Sequence, residues 1–359
     1  MEDGLVKVVS PIEDTPAYRA GIRSGDLIVQ LDDVPVKGLS ISDAIKKMRG
    51  KPDTQIKLSI SRKGESGLVD ITLTRAIIKN PSVKFKLTDT GYPYVRITQF
   101  QEHTGQDLAK ALMTIHEKTE GPIKGLVLDL RNNPGGLVTS AVSVSAAFLK
   151  KDSLVVYSDG RTADSKMRLF ANPRNYIGPD PADDYLKDLP ADFKTIPMVV
   201  LVNAGSASAA EIVSGALQDH HRATVLGTQS FGKGTIQTLL PLSNGSAVKL
   251  TVARYFTPSG RSIQAKGITP DLIVEDPAIT PEEDAKLRRE ANLANHLANP
   301  KDSEASAKVP ANVAVVEKSE PKTQFADHNQ FEAGTDKDFQ YTQAINVLKG
   351  VAIAKVKQP

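Results

Sequence analysis

The sequence predicts a mixed α/β protein with two folded parts and a helical tail. Up to residue 78, apolar and polar residues alternate with the period of β-strands around a single helix. From residue 79 to residue 275, short apolar strands alternate with helices, which is typical of a largely parallel central sheet. Beyond residue 275, two segments begin with helix-capping residues.

Length and composition narrow the class of protein. A chain of 359 residues is long enough for two or three domains. Its net charge of +3 and its 5% of aromatic residues, without tryptophan, argue against a nucleic-acid-binding protein. The absence of cysteine excludes disulfides, thiolate metal sites and a cysteine nucleophile. No apolar run approaches the roughly 20 residues of a transmembrane helix, and the first residues do not form a signal peptide. We predict no metal and no cofactor.

The first part of the chain is predicted to be a small β-rich domain. Its strands are expected at Leu5 to Val9, Leu27 to Leu31, Gln55 to Ser61 and Leu68 to Thr74. The helix is expected from Ser40 to Arg49, with Ala44, Ile45 and Met48 on its buried side.

The most informative stretch runs from residue 196 to residue 237. An apolar strand, Val199 to Val202, ends in an Ala-Gly-Ser turn, and a helix is predicted from Ala207 to Leu217. Ser208 therefore lies at a helix N-terminus, where free N–H groups and the helix dipole stabilise negative charge. An oxyanion formed from a substrate carbonyl would be stabilised there, which makes Ser208 a candidate nucleophile.

A serine nucleophile needs a proton acceptor. If His220 and His221 continue the same helix, they lie about 18 Å along its axis from Ser208, beyond hydrogen-bonding distance. Lys233 is the other candidate: it follows a short strand, Thr224 to Leu226, and two flanking glycines permit close backbone approach. A desolvated lysine amine can act as a general base.

Gln237 completes the candidate set. If Lys233 opens a β-strand, Gln237 at i+4 lies on the same face. Its amide oxygen could then orient the lysine amine.

Two simpler interpretations compete with a catalytic pair. Ser208-x-x-Glu211 is also a helix capping box, in which the serine only accepts helix N–H bonds. Gly227-x-x-x-x-Gly232-Lys233 has the spacing of a nucleotide-binding P-loop, but Gly234 stands where Ser or Thr should bind the metal. The β-branched residues that follow also disfavour the required helix, so no nucleotide is predicted.

At this point the sequence resembles a known family. Gly205-Ser-Ala-Ser-Ala-Ala-Glu-Ile, followed by Gly232-Lys-Gly-Thr-Ile-Gln237, is similar to the carboxyl-terminal processing peptidases, also called tail-specific proteases. The resemblance implies that Ser208 is the nucleophile, Lys233 the general base and Gln237 the residue that orients it. It also implies the α/β catalytic fold of that family, which is of the crotonase-like type, over residues 79–275.

A second oxyanion donor is expected from the loop after a buried strand, Gly125 to Leu130. Its sequence, Arg-Asn-Asn-Pro-Gly-Gly, exposes amides beside glycine. In the resembling family this loop acts with the residue after the nucleophile, which implies Gly135 or Gly136 together with Ala209. The simpler alternative is that the two glycines only form a tight turn.

Three charged residues near the predicted site are interpreted as structural. Asp129 and Arg131 are expected to hold the glycine-containing loop. Asp219, at the far end of the nucleophile helix, is not expected to be a third catalytic residue.

The first 78 residues also resemble a known domain. Thr15-Pro-Ala-x-x-Ala-Gly21-Ile-x-x-Gly25-Asp26-Leu-Ile is similar to the PDZ domains attached to bacterial proteases. PDZ domains bind an extended C-terminal tail by strand addition. The loop and strand that do this should precede Leu5, so we expect the sequence to begin inside the domain.

The remaining segments are predicted from composition and caps. Residues 158–193 are polar and are expected to form a long loop or insertion, which is either a lid or substrate wall or disordered. A strand is expected from Ser246 to Val252, and residues 255–271 resemble the closing segment of the same catalytic domain.

The tail is predicted to contain two helices and a linker. The first helix, within residues 276–299, starts at Pro281 and ends near His296. Residues 300–335 are expected to be a linker, and residues 336–359 a helix. That helix has an apolar face of Phe339, Ile345, Leu348 and Ala352, which we expect to dock on another subunit as an oligomerisation element.

The sequence as a whole predicts an ATP-independent serine endopeptidase. The resemblance implies a periplasmic location, protein substrates engaged through their C-terminal tails, a homo-oligomer and delivery by an adaptor protein. Two alternatives from other classes stay open: a crotonase-like acyl-CoA enzyme, whose thioester enolate would suit the same oxyanion loops, and a non-catalytic PDZ scaffold.

Overall fold

The computed structural model describes most of the chain between residues 4 and 351. The gaps are residues 9–10, 12–14, 24, 63, 79–80, 89, 163–164, 179–183, 243–245, 278–288, 294–296 and 300–333. Within the described residues there are two compact units, which divide at Asn80 and Pro81. None of the described helices is long and apolar enough to cross a membrane.

The first unit is a five-stranded antiparallel sheet with two helices. The strands are β1 (Val6–Lys7), β2 (Leu27–Leu31), β3 (Val34–Pro35), β4 (Gln55–Ser61) and β5 (Leu68–Thr74). Their order is β1-β2-β4-β5, with β3 also paired to β2. The helices are α1 (Pro16–Arg19) and α2 (Ile41–Met48). Three of the four predicted strands have the predicted limits, because their alternation matches a sheet with one buried face.

Helix α2 differs from its prediction at one position. Ser40 caps it, accepting a hydrogen bond from the Asp43 N–H, and Ala44 is fully buried. Met48 packs against the core of this unit, but Ile45 is exposed. The prediction that Ile45 faces inwards was therefore wrong, since so short a helix buries only a narrow stripe.

The second unit is built on a six-stranded sheet. Its strands are β6 (Val83–Lys86), β7 (Tyr94–Ile97), β8 (Leu126–Asp129), β11 (Met198–Val202), β12 (Thr224–Gly227) and β15 (Leu272–Ile273). The order is β15-β12-β11-β8-β7-β6, and all neighbours are parallel except β6 and β7. The predicted parallel sheet is confirmed, and the carboxyl ends of β8 and β11 lie side by side at its centre.

Helices cover both faces of this sheet. Side chains that alternate along β8 and β11 point to opposite sides, as in any strand. One side, with Leu128 and Val200, packs against three helices, namely α3 (Thr104–Lys118), α4 (Val138–Phe148) and α6 (Ala209–Asp219). The other side, with Val127 and Leu201, packs against the C-terminal helix, called α7 below (Phe339–Leu348). The central strands are therefore buried on both faces, which explains their continuous apolar sequence.

A second sheet of this unit was not predicted as a sheet, although the strand predicted from Ser246 to Val252 overlaps one of its members. It is antiparallel, in the order β10-β9-β14-β13, and consists of β9 (Leu154–Gly160), β10 (Arg168–Phe170), β13 (Thr235–Pro241) and β14 (Ala247–Phe256). Of the two alternatives for residues 158–193, a long loop or an insertion, the structure contradicts the long loop. That segment holds the end of β9, all of β10, the short helix α5 (Pro173–Tyr176) and a 3₁₀ turn, Ala191–Lys194. Each element is too short to produce a periodic signal in so polar a sequence.

The tail also departs from its prediction. Phe339, Ile345 and Leu348 of α7 pack against the sheet of their own chain, where we expected another subunit. The helix expected from Pro281 to His296 lies mostly outside the described residues, and its described part is a 3₁₀ turn, Glu290–Asn292. Most of the predicted linker also lies outside the described residues.

Candidate active site

Ser208 occupies a strained corner between β11 and α6. It is the N-cap residue of α6, with φ +53° and ψ −111°, a region that L-amino acids rarely adopt. Such strain persists only where the surroundings enforce it, and it is concentrated at functional sites. A serine on a strained strand-to-helix turn is also how hydrolases of another α/β fold present their nucleophile. The capping-box pairing of Ser208 with Glu211 is also present, so the cap and a candidate nucleophile coexist at this residue.

The Asn-Asn-Pro-Gly-Gly loop lies directly against this corner. A Cβ atom added to Gly135 would lie 2.7 Å from the Ala207 carbonyl oxygen and 2.8 Å from the Ala209 nitrogen. Gly135 has φ +93°, which favours glycine. The structure thus brings together the two loops from which the sequence predicted oxyanion donors.

The geometry distinguishes between the two predicted glycines. The Gly135 N–H donates to Asn133 Oδ1 at 2.8 Å and is therefore occupied. Neither the Gly136 N–H nor the Ala209 N–H donates a hydrogen bond to any described residue. Gly136 and Ala209 are consequently the better pair of candidate donors.

Hydrogen bonds fasten the two loops to each other. The Asn132 N–H donates to Asn203 Oδ1 at 2.9 Å, and Asn203 Nδ2 donates to Asn132 Oδ1 at 3.0 Å. The Ser206 hydroxyl donates to the Leu130 carbonyl at 2.8 Å, and the Ala207 N–H to the Asn133 carbonyl at 2.9 Å. Because these bonds fix both loops, any oxyanion donor that the loops carry is held in place before the reaction and need not reorganise during it.

Lys233 lies on the loop between β12 and β13. A Cβ atom on Gly232 would lie 3.0 Å from the Ala265 carbonyl carbon, and one on Gly234 would overlap the Gln264 backbone. The predicted close approach at both glycines is confirmed. A strand and not a helix follows, at Thr235, so the loop is not a P-loop.

Gln237 is not placed as the sequence argument assumed. β13 begins two residues after Lys233, so Lys233 does not open the strand. The register shift beside Gln237 skips Val252 of β14 and no residue of β13. Because Lys233 lies outside the strand, the i+4 relation does not ensure a common face. Gln237 is exposed, and no hydrogen bond joins Ser208, Lys233 and Gln237 to one another in the described part of the chain. Catalytic hydrogen bonds often tighten only in the substrate complex, so the role of Gln237 stays a prediction.

Glu211 connects the nucleophile turn to the lysine loop. Its side chain is fully buried, and its Oε2 atom accepts the Ser208 N–H at 2.7 Å and the Lys233 N–H at 2.9 Å. Its Oε1 atom accepts the Ser230 hydroxyl and the Gly232 N–H, both at 2.6 Å. One carboxylate therefore fixes the backbone of both predicted catalytic residues. The sequence analysis identified Glu211 only as half of a capping box, which was its one local signal.

Burial raises the pKa of Glu211 to about 7, although its four hydrogen bonds favour the charged form. All four partners are donors, so the carboxylate is the form that satisfies them. The link between the two loops is therefore complete above pH 7.

This shift predicts a pH-dependent stability. The folded pKa of about 7 exceeds the ordinary value of 4.5, so the unfolded chain loses this proton first as the pH rises. The free energy of unfolding should therefore fall by about 3 kcal/mol from this group between roughly pH 4.5 and pH 8. Glu211→Gln should lack that contribution. Urea unfolding of both proteins across this range measures it, and parallel pH dependences would contradict the assignment.

The other predicted residues lie apart from the nucleophile or support it. His220 caps the far end of α6, where its Nε2 atom lies 2.7 Å from the Leu154 carbonyl oxygen. Asp219 accepts the Ser259 N–H at 2.8 Å and pairs with Arg261, which fits a structural role. Asp129 and Arg131 form a buried ion pair at 2.6 Å at the start of the glycine loop. Across the described residues, no cluster of three or more His, Asp or Glu side chains could hold a metal ion.

The fold and the site together define a class of protein. It is an α/β protein with a strained serine at a strand-to-helix corner, and Glu211 joins that corner to the loop of a glycine-flanked lysine. The family model for peptidase family S41 matches residues 91–274, and a PDZ domain model matches residues 7–62. The chain belongs to peptidase family S41. The predicted PDZ domain in the first unit is likewise confirmed.

Curated relatives are carboxy-terminal processing proteases. The one from Bartonella bacilliformis is 48% identical over 279 residues, covering 77% of this chain and 60% of that protein. The one from Synechocystis sp. is 36% identical and covers 78% of this chain and 61% of that protein. CtpA of Bacillus subtilis is 35% identical, with 77% and 54% covered. The chain thus spans little more than half the length of these relatives.

Among solved structures, the photosystem II D1 C-terminal processing protease is 31% identical to this chain. The superposition has a TM-score of 0.49 and covers 79% of this chain and 72% of that one.

Proposed function

We propose that the chain is an ATP-independent serine endopeptidase with Ser208 as nucleophile and Lys233 as general base. The observation that carries the proposal is that one buried oxygen atom, Glu211 Oε2, accepts the backbone N–H of both residues. The two segments are thereby held in a fixed relation to each other, and the N–H groups of Gly136 and Ala209 donate to no partner among the described residues.

The proposed reaction assigns each of these residues a role. The Lys233 amine takes the Ser208 hydroxyl proton while Oγ attacks the peptide carbonyl. The N–H groups of Gly136 and Ala209 stabilise the resulting oxyanion. The ammonium then gives its proton to the leaving amine, an acyl-enzyme remains, and water hydrolyses the ester with Lys233 again as base. Gln237 orients the amine when the substrate is bound.

The substrates proposed are proteins engaged through their C-terminal tails. The names of the curated relatives describe processing at the carboxy terminus, and a PDZ domain is suited to capturing a terminal carboxylate. We further propose a periplasmic location, a homo-oligomer and delivery of substrates by an adaptor protein. These proposals rest on the resemblance of the sequence to the family.

Cleavage of an unfolded protein tests the proposal. Casein should be cleaved by this chain with neither nucleotide nor metal added, and Ser208→Ala and Lys233→Ala should both abolish cleavage. Ser214→Ala, on the same helix, is the matched control and should retain activity, because Ser214 bonds only to backbone carbonyls of its own helix.

The outcomes also separate the alternatives. Full activity of either active-site variant would overturn the role assigned to that residue. An inactive unmodified chain would instead point to a binding module, and binding of coenzyme A would favour an acyl-CoA enzyme.

A further inference from the structure

The helix α7 contacts Arg131, the residue just before the glycine loop, chiefly through one buried carboxylate. Asp338 caps α7, accepting the Tyr341 N–H at 3.1 Å. The same carboxylate accepts hydrogen bonds from both terminal nitrogens of Arg131, from Nη1 at 2.9 Å and from Nη2 at 2.5 Å. This is the two-pronged pairing that gives an arginine a fixed orientation. Asp338 is 3% exposed and Arg131 9%, so water screens the pair little.

Arg131 is held equally firmly on its other side. Its backbone N–H and its Nε both donate to Asp129, at 2.8 Å and 3.0 Å to Oδ1. Burial opposes the charge on Asp129, but the adjacent guanidinium outweighs it and lowers the pKa of Asp129 below its ordinary value. The Tyr94 hydroxyl donates to Asp129 at 2.6 Å, and Gln340 of α7 accepts from Arg131 at 3.1 Å. Arg131 therefore lies between a carboxylate of the central strand and one from the tail.

The position of Arg131 in the chain gives this cluster its significance. Arg131 is the last residue before Asn132, which has φ +56° and begins the glycine loop. That loop presents Gly136 and contacts the Ser208 corner. A shift of Arg131 would be transmitted along five residues to the proposed oxyanion donor. A displacement of about 1 Å in such a donor can cost roughly a hundredfold in rate.

We propose that Asp338 is a positioning residue of the active site: through Arg131, the tail helix holds the oxyanion loop in its productive place. The proposal rests on the proposed peptidase function. Without Asp338, Nη1 of Arg131 keeps only Gln340 and Nη2 keeps only Asp129, so the buried guanidinium loses its bidentate carboxylate and one compensating charge. The guanidinium is then less firmly fixed, and we expect it to shift. The residue contacts no substrate; it acts through Arg131 alone.

Kinetics of Asp338→Ala against Asp336→Ala test this role. Asp336 lies two residues earlier and is exposed, so its replacement changes the charge of the same segment without touching Arg131. With casein-derived peptides, Asp338→Ala should lower kcat about tenfold to a hundredfold and change KM less than twofold. Asp336→Ala should match the unmodified chain. An unchanged kcat in folded Asp338→Ala would overturn the proposal.

A pair of inhibitors distinguishes positioning from a loss of structure. A tetrapeptide aldehyde forms a hemiacetal with the serine hydroxyl, and its oxygen occupies the oxyanion position, whereas the corresponding peptide alcohol binds without reacting. Asp338→Ala should weaken binding of the aldehyde by the same factor as it lowers kcat, and it should leave binding of the alcohol unchanged. Equal weakening of both inhibitors would show a general structural defect and reject the role. Should Asp338→Ala fail to fold, Asp338→Asn keeps one acceptor and should show the same pattern to a smaller degree.

Hydrogen exchange of the loop gives a readout that does not depend on catalysis. The peptide covering residues 132–137 should exchange faster in Asp338→Ala and at the normal rate in Asp336→Ala. If the unmodified chain has no peptidase activity but the loop shows this difference, the proposed function fails and the coupling stands. If exchange of the loop is unchanged, the coupling itself is wrong.

Discussion

Glu211→Gln is expected to lower kcat by about a hundredfold or more at pH 8, with a smaller effect on KM. The four groups around this carboxylate are all donors. Glutamine has the same shape but only one acceptor oxygen, so its NH₂ group must face two N–H or O–H donors. Whichever way the amide points, either the Ser208 and Lys233 N–H groups or the Ser230 and Gly232 donors lose their partner. Each unsatisfied donor costs about 1–3 kcal/mol, so the two segments should separate.

Steady-state kinetics at pH 8 measures this effect, and a serine reagent shows whether the nucleophile is still assembled. Labelling of Ser208 by a fluorophosphonate should slow in parallel with kcat. Ser214→Ala again serves as control, because it removes a buried hydroxyl from α6 that touches neither loop. A Glu211→Gln protein that is folded and retains its kcat would show that the carboxylate does not position the pair.

Gly136→Ala is the second substitution with a large expected effect, which is a loss of both stability and kcat. Gly136 has φ +144°, and a Cβ atom there would overlap the carbonyl oxygen of Phe100. The backbone conformation alone should cost about 1–3 kcal/mol in stability, and relief of the overlap requires the loop to move. Moving the loop displaces the proposed oxyanion donor, whose loss should lower kcat by about 10² to 10³.

The matched control is Gly121→Ala. Gly121 also has a positive φ, +84°, but no atom lies within 4 Å of its added Cβ. Gly121→Ala should therefore lower the stability of the protein and leave the kcat of the folded protein unchanged. Thermal unfolding and kinetics of the two variants separate the effects. Equal activities for Gly136→Ala and Gly121→Ala would argue against Gly136 as an oxyanion donor.

Much of the local structure followed from the sequence. The strands Leu27–Leu31, Gln55–Ser61 and Leu68–Thr74 have their predicted limits, because side-chain alternation is a property of a few consecutive residues. The helix start at Ser208 and the close approach at Gly232 also have local signals, namely a turn followed by helix formers and a glycine flanking a lysine. Predictions that extended a local rule too far failed, as at Ile45, where the helix buries a narrower stripe than assumed.

The assembly of the site was decided only by the tertiary structure. The bonds of Glu211 to Ser230 and Lys233 join residues 19 and 22 positions apart, and the bond of Arg131 to Asp338 spans 207 positions. No periodicity or cap encodes such contacts, because they exist only once the parallel strands bring the carboxyl ends of β8 and β11 together and the tail helix packs beneath them. The sequence by itself thus determined the parallel sheet and several of its strands and helices, the family resemblance and the strand-to-helix corner at Ser208. The folded chain decided which N–H groups are free, which carboxylate joins the two loops, and that the C-terminal helix packs against its own sheet.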